Sequence, residues 1–425
     1  MKVLIAVLLL CAGMVTGCGA FAAPTITMIG PWTGPEERTF LAVLGKFTTQ
    51  TGIQVRYQGT RAVNQVLRAD VQKGRAPDVA ALSSPGELAR YAQSNDLIAL
   101  RDVATSEQEY GPQWQELLNL GTPERYAVPV KADLKSVVWF NAGALPGADP
   151  KTWPELQQLT RDLAGQGRTP WCLGLEANST SGWPGTDWIE DILLRQAGLE
   201  TYRRWAAGQL PWTSGVVRDA WLRWGELIAV PGAVRGGRTG ALLTYFRDAR
   251  KTMFDSEPGC LMEHLPSFAM GDYPPEDQGR FDFFPFPAAS ANSAFHVGVN
   301  LAGLFRDSEA ARQLMTFLAS REAQTIWPQL SGTAFSVNKL VRQGGLYANR
   351  PVSSRVATIL AESELCLDAS DVMPSELAEA FARGVLAYVA DPNQLGEVLE
   401  GLDKIQSELS KKETAATERL TVSCG

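Results

Sequence analysis

The segment Tyr126–Asn141 reads YAVPVKADLKSVVWFN and predicts two consecutive strands. Its last residues form an apolar run, which can carry the chain from one lobe of a protein to another. The chain has 425 residues, which is too many for one compact core and predicts two lobes. We therefore expect the chain to pass between its lobes near the end of this segment.

Strands and helices alternate in the amino-terminal third of the chain. This order predicts repeated β-α-β units, whose right-handed crossovers build a mostly parallel sheet and an α/β fold class. The helix that begins at Pro35 should end at Gly52, because glycine commonly closes helices. The predicted strands lie at 26–29, 53–57 and 78–82, and the predicted helices lie at 35–51, 62–73 and 87–94.

Ligands of such sheets bind at the carboxyl ends of the strands. This rule places two loops, residues 32–36 and 83–86, at the binding edge of the first lobe. Glu36 has a second interpretation, because an acidic residue in the first turn of a helix also stabilises that helix. The sequence leaves both roles of Glu36 open.

Tryptophan is concentrated in the middle of the chain, where nine of the twelve residues lie between Trp139 and Trp224. The densest part, residues 171–198, also contains several acidic side chains. Indole faces beside carboxylates suit a sugar, whose rings stack on aromatic groups and whose hydroxyls need acceptors. The pattern therefore indicates a carbohydrate site, with a tryptophan-rich core as the alternative interpretation.

The two interpretations divide by position. Trp205, Trp221 and Trp224 have helical spacing, which is typical of core residues. Trp183 is flanked by glycine and proline at 182, 184 and 185, which predicts a loop and an accessible ring.

The first residues have the pattern of a bacterial lipoprotein signal. Lys2 precedes an apolar run at 3–12 that is too short to span a bilayer, and small residues then lead to Cys18. Cleavage before Cys18 would leave a lipid-modified cysteine that anchors the protein to a membrane, facing the periplasm or the cell exterior. The sequence Ala20-Phe21-Ala22 is a competing cleavage site of an ordinary secreted protein. Both alternatives predict export.

Charge and motifs exclude several classes of function. The formal net charge is −7 at pH 7 and Lys and Arg form no run, which argues against nucleic acid and anionic lipid as partners. The chain has only two histidines, His264 and His296, and no H-E-x-x-H, G-x-S-x-G or G-x-x-x-x-G-K-[ST] motif. We therefore expect neither a metal nor a cofactor.

Four cysteines follow the predicted signal, and an exported compartment favours disulfides between them. None has C-x-x-C spacing, so zinc and thioredoxin-like sites are weak alternatives. Four cysteines allow three pairings. We favour a bond between Cys172 and Cys260 and leave the pairing of Cys366 and Cys424 open.

Four motifs occur in a fixed order along the chain: Thr51-Gly52-Ile53, Ala76-Pro77-Asp78-Val79, KSVVWFN at 135–141 and TWPEL at 152–156. In this order the chain resembles the extracellular solute-binding proteins of ABC carbohydrate importers. The resemblance covers nearly all of the chain after the signal.

Three further segments resemble one branch of that family, the α-glucoside-binding proteins. They are GWPGTDWIED at 182–191, Gly259-Cys260, and DASDVMP at 368–374. The chain departs from this branch by a shorter link between Cys260 and His296, and Glu263 stands where another side chain is expected. The preference for a particular glycosidic linkage and anomer therefore stays open.

The resemblance implies a two-lobed periplasmic-binding-protein fold with three hinge crossings, near Asn141, Pro287 and Ser336. It also implies a sugar ligand held between the lobes, delivery to ABC permease subunits and their ATPase, and a monomeric receptor. The implied division is a signal at 1–18, a first lobe at 19–140 and 288–335, and a second lobe at 141–287 and 336–425.

The family's ligand-binding positions are carried over one by one onto this sequence. They fall on loops of both lobes, including the aromatic segment around Trp183. The implied ligand-binding residues are Trp32, Glu36, Ser83, Ser84, Asp133, Trp183, Asp187, Glu263, His264 and Asp371.

A glycoside hydrolase is the alternative function, because paired carboxylates in an aromatic cleft are also what glycoside hydrolysis requires. Asp187 and Asp191 are the candidate pair. Their four-residue spacing also predicts neighbours on one helix face, where acidic side chains of a first turn have a structural role. A surface adhesion factor is a third alternative, with no repeat or low-complexity linker to favour it.

Overall fold

The computed structural model describes residues 23–103, 108–273, 279–290, 294–343 and 345–412, together with Cys424. The predicted signal, the lipidation site Cys18 and the competing site Ala20-Phe21-Ala22 lie outside these residues. Within the described part of the chain, no helix is both long enough and apolar enough to cross a membrane.

The described residues form two sheets. The strands are β1 (Thr25–Gly30), β2 (Gln54–Gly59), β3 (Val79–Leu82), β4 (Ala127–Leu134), β5 (Val137–Asn141), β6 (Met262–His264), β7 (Phe281–Pro285), β8 (Phe295–Leu304) and β9 (Leu365–Leu367). One sheet has six strands in the order β2-β1-β3-β8-β4, with β9 paired to β8. The other has three strands in the order β6-β5-β7.

The helices pack on the six-stranded sheet and on one another. Helices α1, α2, α3, α10 and α11 pack on the six-stranded sheet or on each other, and together they form the first lobe. Helices α6, α8, α9, α15 and α16 pack on one another in the second lobe, which contains the three-stranded sheet. The helices are α1 (Pro35–Thr51), α2 (Val63–Gln72), α3 (Pro85–Gln93), α4 (Pro112–Leu118), α5 (Trp153–Gly165), α6 (Trp183–Ile192), α7 (Leu199–Ala206), α8 (Gly215–Ala229), α9 (Gly237–Leu243), α10 (Glu309–Ala319), α11 (Arg321–Ser331), α12 (Lys339–Gln343), α13 (Pro351–Glu362), α14 (Ala369–Val372), α15 (Ser375–Ala390) and α16 (Leu395–Lys412).

The β-α-β units predicted for the amino-terminal third are confirmed. Strand β1 pairs in parallel with both β2 and β3, and the predicted helices correspond to α1, α2 and α3. Helix α1 ends at Gly52, whose φ of 74° gives the left-handed conformation that glycine adopts without strain. The apolar face of α1, with Phe40, Leu44 and Phe47 buried, packs into the core of the first lobe.

The later strands depart from a parallel arrangement. Strand β8 is antiparallel to both β3 and β4, and all pairs of the three-stranded sheet are antiparallel. The reason is connectivity, because β8 reaches the first sheet from the second lobe and not through a helical crossover on the same sheet. The alternating pattern of the first third therefore does not extend to the whole fold.

The described strands change from one sheet to the other at two places. The first change lies between β4 and β5, at Lys135 and Ser136, and so precedes the predicted crossing at Asn141. The second lies between β7 and β8, a stretch that includes Pro287. The crossing predicted near Ser336 is not marked by a change of sheet, because β9, the next strand after it, pairs in parallel with β8 in the first sheet. Residues 336–425 therefore contain one strand of the first sheet, and the lobe boundaries stay a prediction.

Eight of the nine central tryptophans belong to the core. Trp205, Trp221 and Trp224 are fully buried, as their spacing predicts. Trp183 alone among the nine is partly exposed. It is the first residue of α6 and not a loop residue, because Pro184 is compatible with the first helical turn and does not interrupt the helix.

The predicted disulfide between Cys172 and Cys260 is confirmed. The second bond joins Cys366 to Cys424. It holds the described end of the chain against β9, where the two cysteines also form a backbone bridge.

Gly182 fixes the position of Trp183, and we expect it to tolerate no side chain. Its φ is 102°, and a Cβ atom there would lie 2.2 Å from the backbone oxygen of Ala382. Gly182→Ala should lower the free energy of unfolding by about 3 kcal/mol, because positive φ and a backbone clash combine. Gly52→Ala is the control, since its φ is also positive but no atom lies within 4 Å, and it should cost about 1 kcal/mol. Equal losses in urea denaturation would contradict this explanation.

Candidate functional site

A cavity of about 600 Å³ lies between the two lobes. Loops that follow strands of the six-stranded sheet line one side, and the amino-terminal end of α6 with the segment after α9 lines the other. The volume lies in the range of small-molecule sites in proteins. Eight of the ten predicted ligand-binding residues line this cavity: Trp32, Glu36, Ser83, Ser84, Asp133, Trp183, Asp187 and Asp371.

The first-lobe side follows the strand-end rule. Trp32 comes directly after β1, Arg61 follows β2, and Ser83 and Ser84 follow β3; all four line the cavity. The Trp32 ring is almost entirely buried and packs edge-on against Trp327, with ring centroids 5.0 Å apart. This side of the cavity is therefore a firmly packed wall.

The second-lobe side is aromatic. Trp183 lies at the amino-terminal end of α6, with its ring centroid 5.1 Å from that of Phe246 and 6.2 Å from that of Phe268. All three residues line the cavity. Partly exposed aromatic faces beside polar groups are the surface on which a sugar ring stacks.

Glu36 is surrounded by three cations. Its carboxylate oxygens lie 3.1 Å from Lys131 Nζ, 2.6 Å from Arg61 and 2.9 Å from Arg247. Burial raises the pKa of the Glu36 carboxyl, but the three cations outweigh burial and lower the pKa to about 2. Glu36 is therefore an ionised acceptor group at the edge of the cavity, in addition to being a first-turn residue of α1.

A chain of ion pairs connects this carboxylate to the second lobe. Arg247 contacts Glu36 and also lies 3.1 Å from Asp272. Asp272 lies 3.2 Å from Arg250, which in turn lies 3.1 Å from Glu263. Because Glu36 is on α1 and Arg247 follows α9, the contact between them joins the two lobes at one of the residues that line the cavity.

Lys135 forms a second charged centre at the floor of the cavity. Its Nζ lies 3.2 Å from Asp187 and 3.4 Å from Asp371, and it makes a closer contact with Asp368. Burial alone would raise the pKa of the Asp368 carboxyl, but Lys135 holds it below its usual range. Asp368 is therefore the carboxylate that balances the lysine charge.

The structure does not bring Glu263 and His264 to the cavity. Both lie on β6, the edge strand of the three-stranded sheet, and both are buried. The Glu263 carboxylate is paired with Arg250 and accepts a hydrogen bond from Tyr273. The two side chains point to opposite faces of β6 and both are buried, so neither is among the residues that line the cavity, contrary to the predicted placement.

His264 belongs to a buried polar network. Its Nδ1 lies 2.9 Å from the backbone oxygen of Val137 and its Nε2 lies 3.2 Å from Asp191. Burial lowers the pKa of His264 to about 4, so the ring is neutral at pH 7. In this state Nδ1 donates to Val137, and His264 positions β6 against β5.

One buried group in the described residues has the spacing of a metal site, namely Glu190, His296 and Asp368. The two oxygen atoms nearest His296 Nε2, Glu190 Oε2 and Asp368 Oδ2, already have protein partners. Glu190 Oε2 accepts from the backbone amide of Ala369 at 2.8 Å and from the Tyr202 hydroxyl at 3.1 Å, and Asp368 is paired with Lys135. We therefore assign no metal to this group.

The candidate hydrolase pair is not assembled. Asp187 lines the cavity, whereas Asp191 is buried behind it, where it accepts a hydrogen bond from Ser136 and contacts His264. A glycoside hydrolase needs both carboxyl groups beside the same glycosidic bond. The geometry gives no support to this alternative.

Several important residues were not predicted from the sequence. Arg61 follows β2, so the strand-end rule applied to that strand would have identified it. Lys131 and Lys135 interrupt an otherwise apolar strand pair, which was a usable signal. Phe246 and Phe268 stand in irregular segments with no local pattern, and only the tertiary structure brings them to Trp183.

We expect the interlobe contact to favour the closed arrangement. Arg247 does not line the cavity, so Arg247→Gln removes its contacts with Glu36 and Asp272 without removing a cavity residue. Ligand affinity should fall about fivefold, the equivalent of about 1 kcal/mol for a partly exposed ion pair, and the ligand-free radius of gyration in X-ray scattering should increase. Arg223→Gln, which removes the exposed ion pair with Asp219 on α8, is the control. If affinity and radius are both unchanged by R247Q, the contact has no role in closure.

The sequence matches the family described as "Bacterial extracellular solute-binding protein" over residues 32–257, more than half of the chain. The alpha-glucosides-binding periplasmic protein AglE of Rhizobium meliloti is 32% identical over 402 residues, which cover 89% of this chain and 86% of that protein. The osmoprotective compounds-binding protein GgtB of Synechocystis sp. is 34% identical over 389 residues, covering 88% of this chain and 91% of that protein.

Solved structures show the same fold. The bacterial solute receptor AcbH superposes with a TM-score of 0.76 at 18% identity, covering 92% of this chain and 99% of that one. Maltose-bound MalE3 of T. maritima superposes with a TM-score of 0.71 at 18% identity, covering 91% of this chain and all of the other. The predicted two-lobed periplasmic-binding-protein fold is therefore confirmed.

Proposed function

Because the chain belongs to the bacterial extracellular solute-binding protein family, we propose that it captures an α-glucoside-type sugar between its lobes and delivers it to a membrane permease. It is the binding component of a sugar ABC transporter and not an enzyme. The observation that carries the proposal is the cavity itself, where Trp183 and two phenylalanine rings lie opposite the ionised Glu36.

The chemistry of the two walls fits a neutral sugar. The aromatic wall offers faces for the apolar side of a pyranose ring, and the charged wall offers carboxylate and cationic groups for its hydroxyls. Polar contacts from buried charged groups favour a ligand with many hydroxyls over an apolar one. The names of the relatives AglE and GgtB agree with α-glucosides and small osmoprotective solutes as the class to test first.

Binding energy has a second role in this family of folds. A ligand shifts the equilibrium between open and closed lobes only by its differential affinity for the closed form. Contacts from both lobes provide this difference, because they exist together only after closure. In our proposal Glu36 and Trp183 act on the same sugar from opposite lobes, and closure creates the surface that the permease recognises.

The first experiment is a thermal-shift screen against mono- and disaccharides, followed by calorimetry on the ligands found. Binding to the native state raises the melting temperature by mass action, and we expect the rise for α-glucosides. Trp183→Ala should weaken binding at least tenfold, about 1.4 kcal/mol, because the stacking face is lost. Leu222→Ala, an exposed residue of α8 outside the cavity, is the control. A cavity that binds only non-sugar solutes, or binding that W183A leaves intact, would overturn the proposal.

We further propose that Cys18 carries a lipid that anchors the receptor outside the cytoplasm. The apolar run before Cys18 and the small residues next to it support this assignment. Mass spectrometry of the mature protein should give an amino-terminal diacylated cysteine, and Cys18→Ser should release the protein from the membrane fraction. A mature protein that begins after Ala22 would show that the secreted form is the correct alternative.

A further inference from the structure

The floor of the cavity contains more negative charge than its cation can balance. The Lys135 side chain is only 9% exposed, and Asp187, Asp368 and Asp371 all lie around its Nζ. Two more carboxyl groups, Glu190 and Asp191, are buried on the same helix as Asp187. Carboxylates that share one buried site cannot all be ionised, since each added charge repels the others and loses its hydration.

Asp368 is the carboxyl group whose surroundings stabilise its ionised form. One of its oxygens contacts Lys135, and the other accepts hydrogen bonds from the Ser370 hydroxyl at 2.7 Å and from the Asp371 amide at 2.9 Å. Both oxygens therefore have donors. A carboxylate that receives several hydrogen bonds and a salt bridge is stabilised in its ionised form.

Asp187 lacks this set of donors. Its Oδ1 shares Lys135 with the other carboxyl groups at 3.2 Å, and its Oδ2 has no hydrogen-bond partner among the residues that the structure describes. The residue lines the cavity, although its side chain is only 2% exposed and Oδ2 itself is buried in the ligand-free structure. An ionised oxygen left buried without a donor is costly, whereas a protonated one needs only an acceptor.

We propose that Asp187 presents a protonated carboxyl group to the cavity and donates a hydrogen bond to a sugar oxygen that has no hydrogen of its own, the ring or glycosidic oxygen. The assignment of a sugar ligand rests on the proposed function, but the protonation of Asp187 does not. An ionised carboxylate repels such an oxygen, because both are acceptors only. The proton thereby allows this position to bind an acetal oxygen, which an ionised carboxylate would repel.

Most of the groups around Asp187 favour its protonated form. Burial raises the pKa of its carboxyl well above the usual range; Lys135 lowers it, while Asp368, Glu190 and Asp371 raise it further. The remaining titratable neighbours are Asp191 on α6, Tyr202 on α7, His264 on β6 and His296 on β8, and burial lowers the pKa of both histidines. Neutral histidines add no positive charge that would draw the proton away.

The test needs no sugar. A carboxyl group that is protonated in the native state and ionised in the unfolded chain lowers the stability of the protein once the pH exceeds the pKa of that group in the unfolded chain. The unfolding constant then increases by up to a factor of ten per pH unit. Asp187→Asn keeps the shape and removes the titration. We measure the unfolding constants of both proteins by urea denaturation at several pH values. As the pH is raised from 5 to 8, the unfolding constant of the wild type should increase relative to that of D187N by up to tenfold per pH unit. Asp162→Asn, an exposed position on α5, controls for the substitution itself.

Infrared difference spectra supply a second readout. The wild type at pH 7 should show a carboxylic-acid C=O band that D187N lacks. If D187N does not fold, Asp187→Ser serves for both measurements, because it also lacks a carboxyl group. Parallel pH curves and no missing band would show that Asp187 is ionised, and this proposal would fall while sugar binding stood. A missing band in a protein that binds no sugar would instead refute the proposed function alone.

Discussion

The contact between the Lys135 ammonium and its carboxyl neighbours is the interaction on which the arrangement of the two lobes depends. Lys135 lies where β4 of the first sheet gives way to β5 of the second. It reaches Asp187 on α6 and Asp368 after β9, so one buried charge connects a chain crossing, a second-lobe helix and the returning segment. Removing one partner of such a buried group leaves an uncompensated charge, which is far more costly than losing a surface pair. The floor of the cavity is fixed for this reason.

The ion pair between Glu36 and Arg247 connects the lobes in a different way. The side chains of Arg247 and Glu36, which meet across the lobes, are 17% and 10% exposed. This contact is therefore less buried than the pairs of Lys135 with Asp187 and Asp368 and costs less to break. A hinged receptor requires both features, a fixed charged centre at Lys135 and an interlobe contact between Glu36 and Arg247 that can break. The ligand must enter the cavity before the lobes close. The aromatic wall around Trp183 lies between these two charged centres, so a bound sugar meets stacking and polar contacts together.

The sequence predicted best those features that local patterns determine. Strands β1 to β3 and helix α1 follow from periodicity and from Gly52, and the strand-end rule correctly placed Trp32 and Ser83 at the cavity. The roles of Glu263 and His264 could not be predicted, because a strand residue faces inward or outward according to pairing partners that are distant in sequence. The contact between Glu36 and Arg247 spans 211 positions, and no local signal links two such residues. The burial of Trp205, Trp221 and Trp224 follows from their helical spacing, whereas that of the other five buried central tryptophans follows from packing, which composition alone does not determine.

The central claim is that one sugar is held by both lobes at once. A crystal structure of the protein with its bound sugar tests this claim most directly. Our account predicts a pyranose ring stacked on Trp183, a ring or glycosidic oxygen within hydrogen-bond distance of Asp187, and at least one hydroxyl bound by the first lobe near Glu36. A sugar bound outside the cavity, or held by residues of one lobe only, would contradict it.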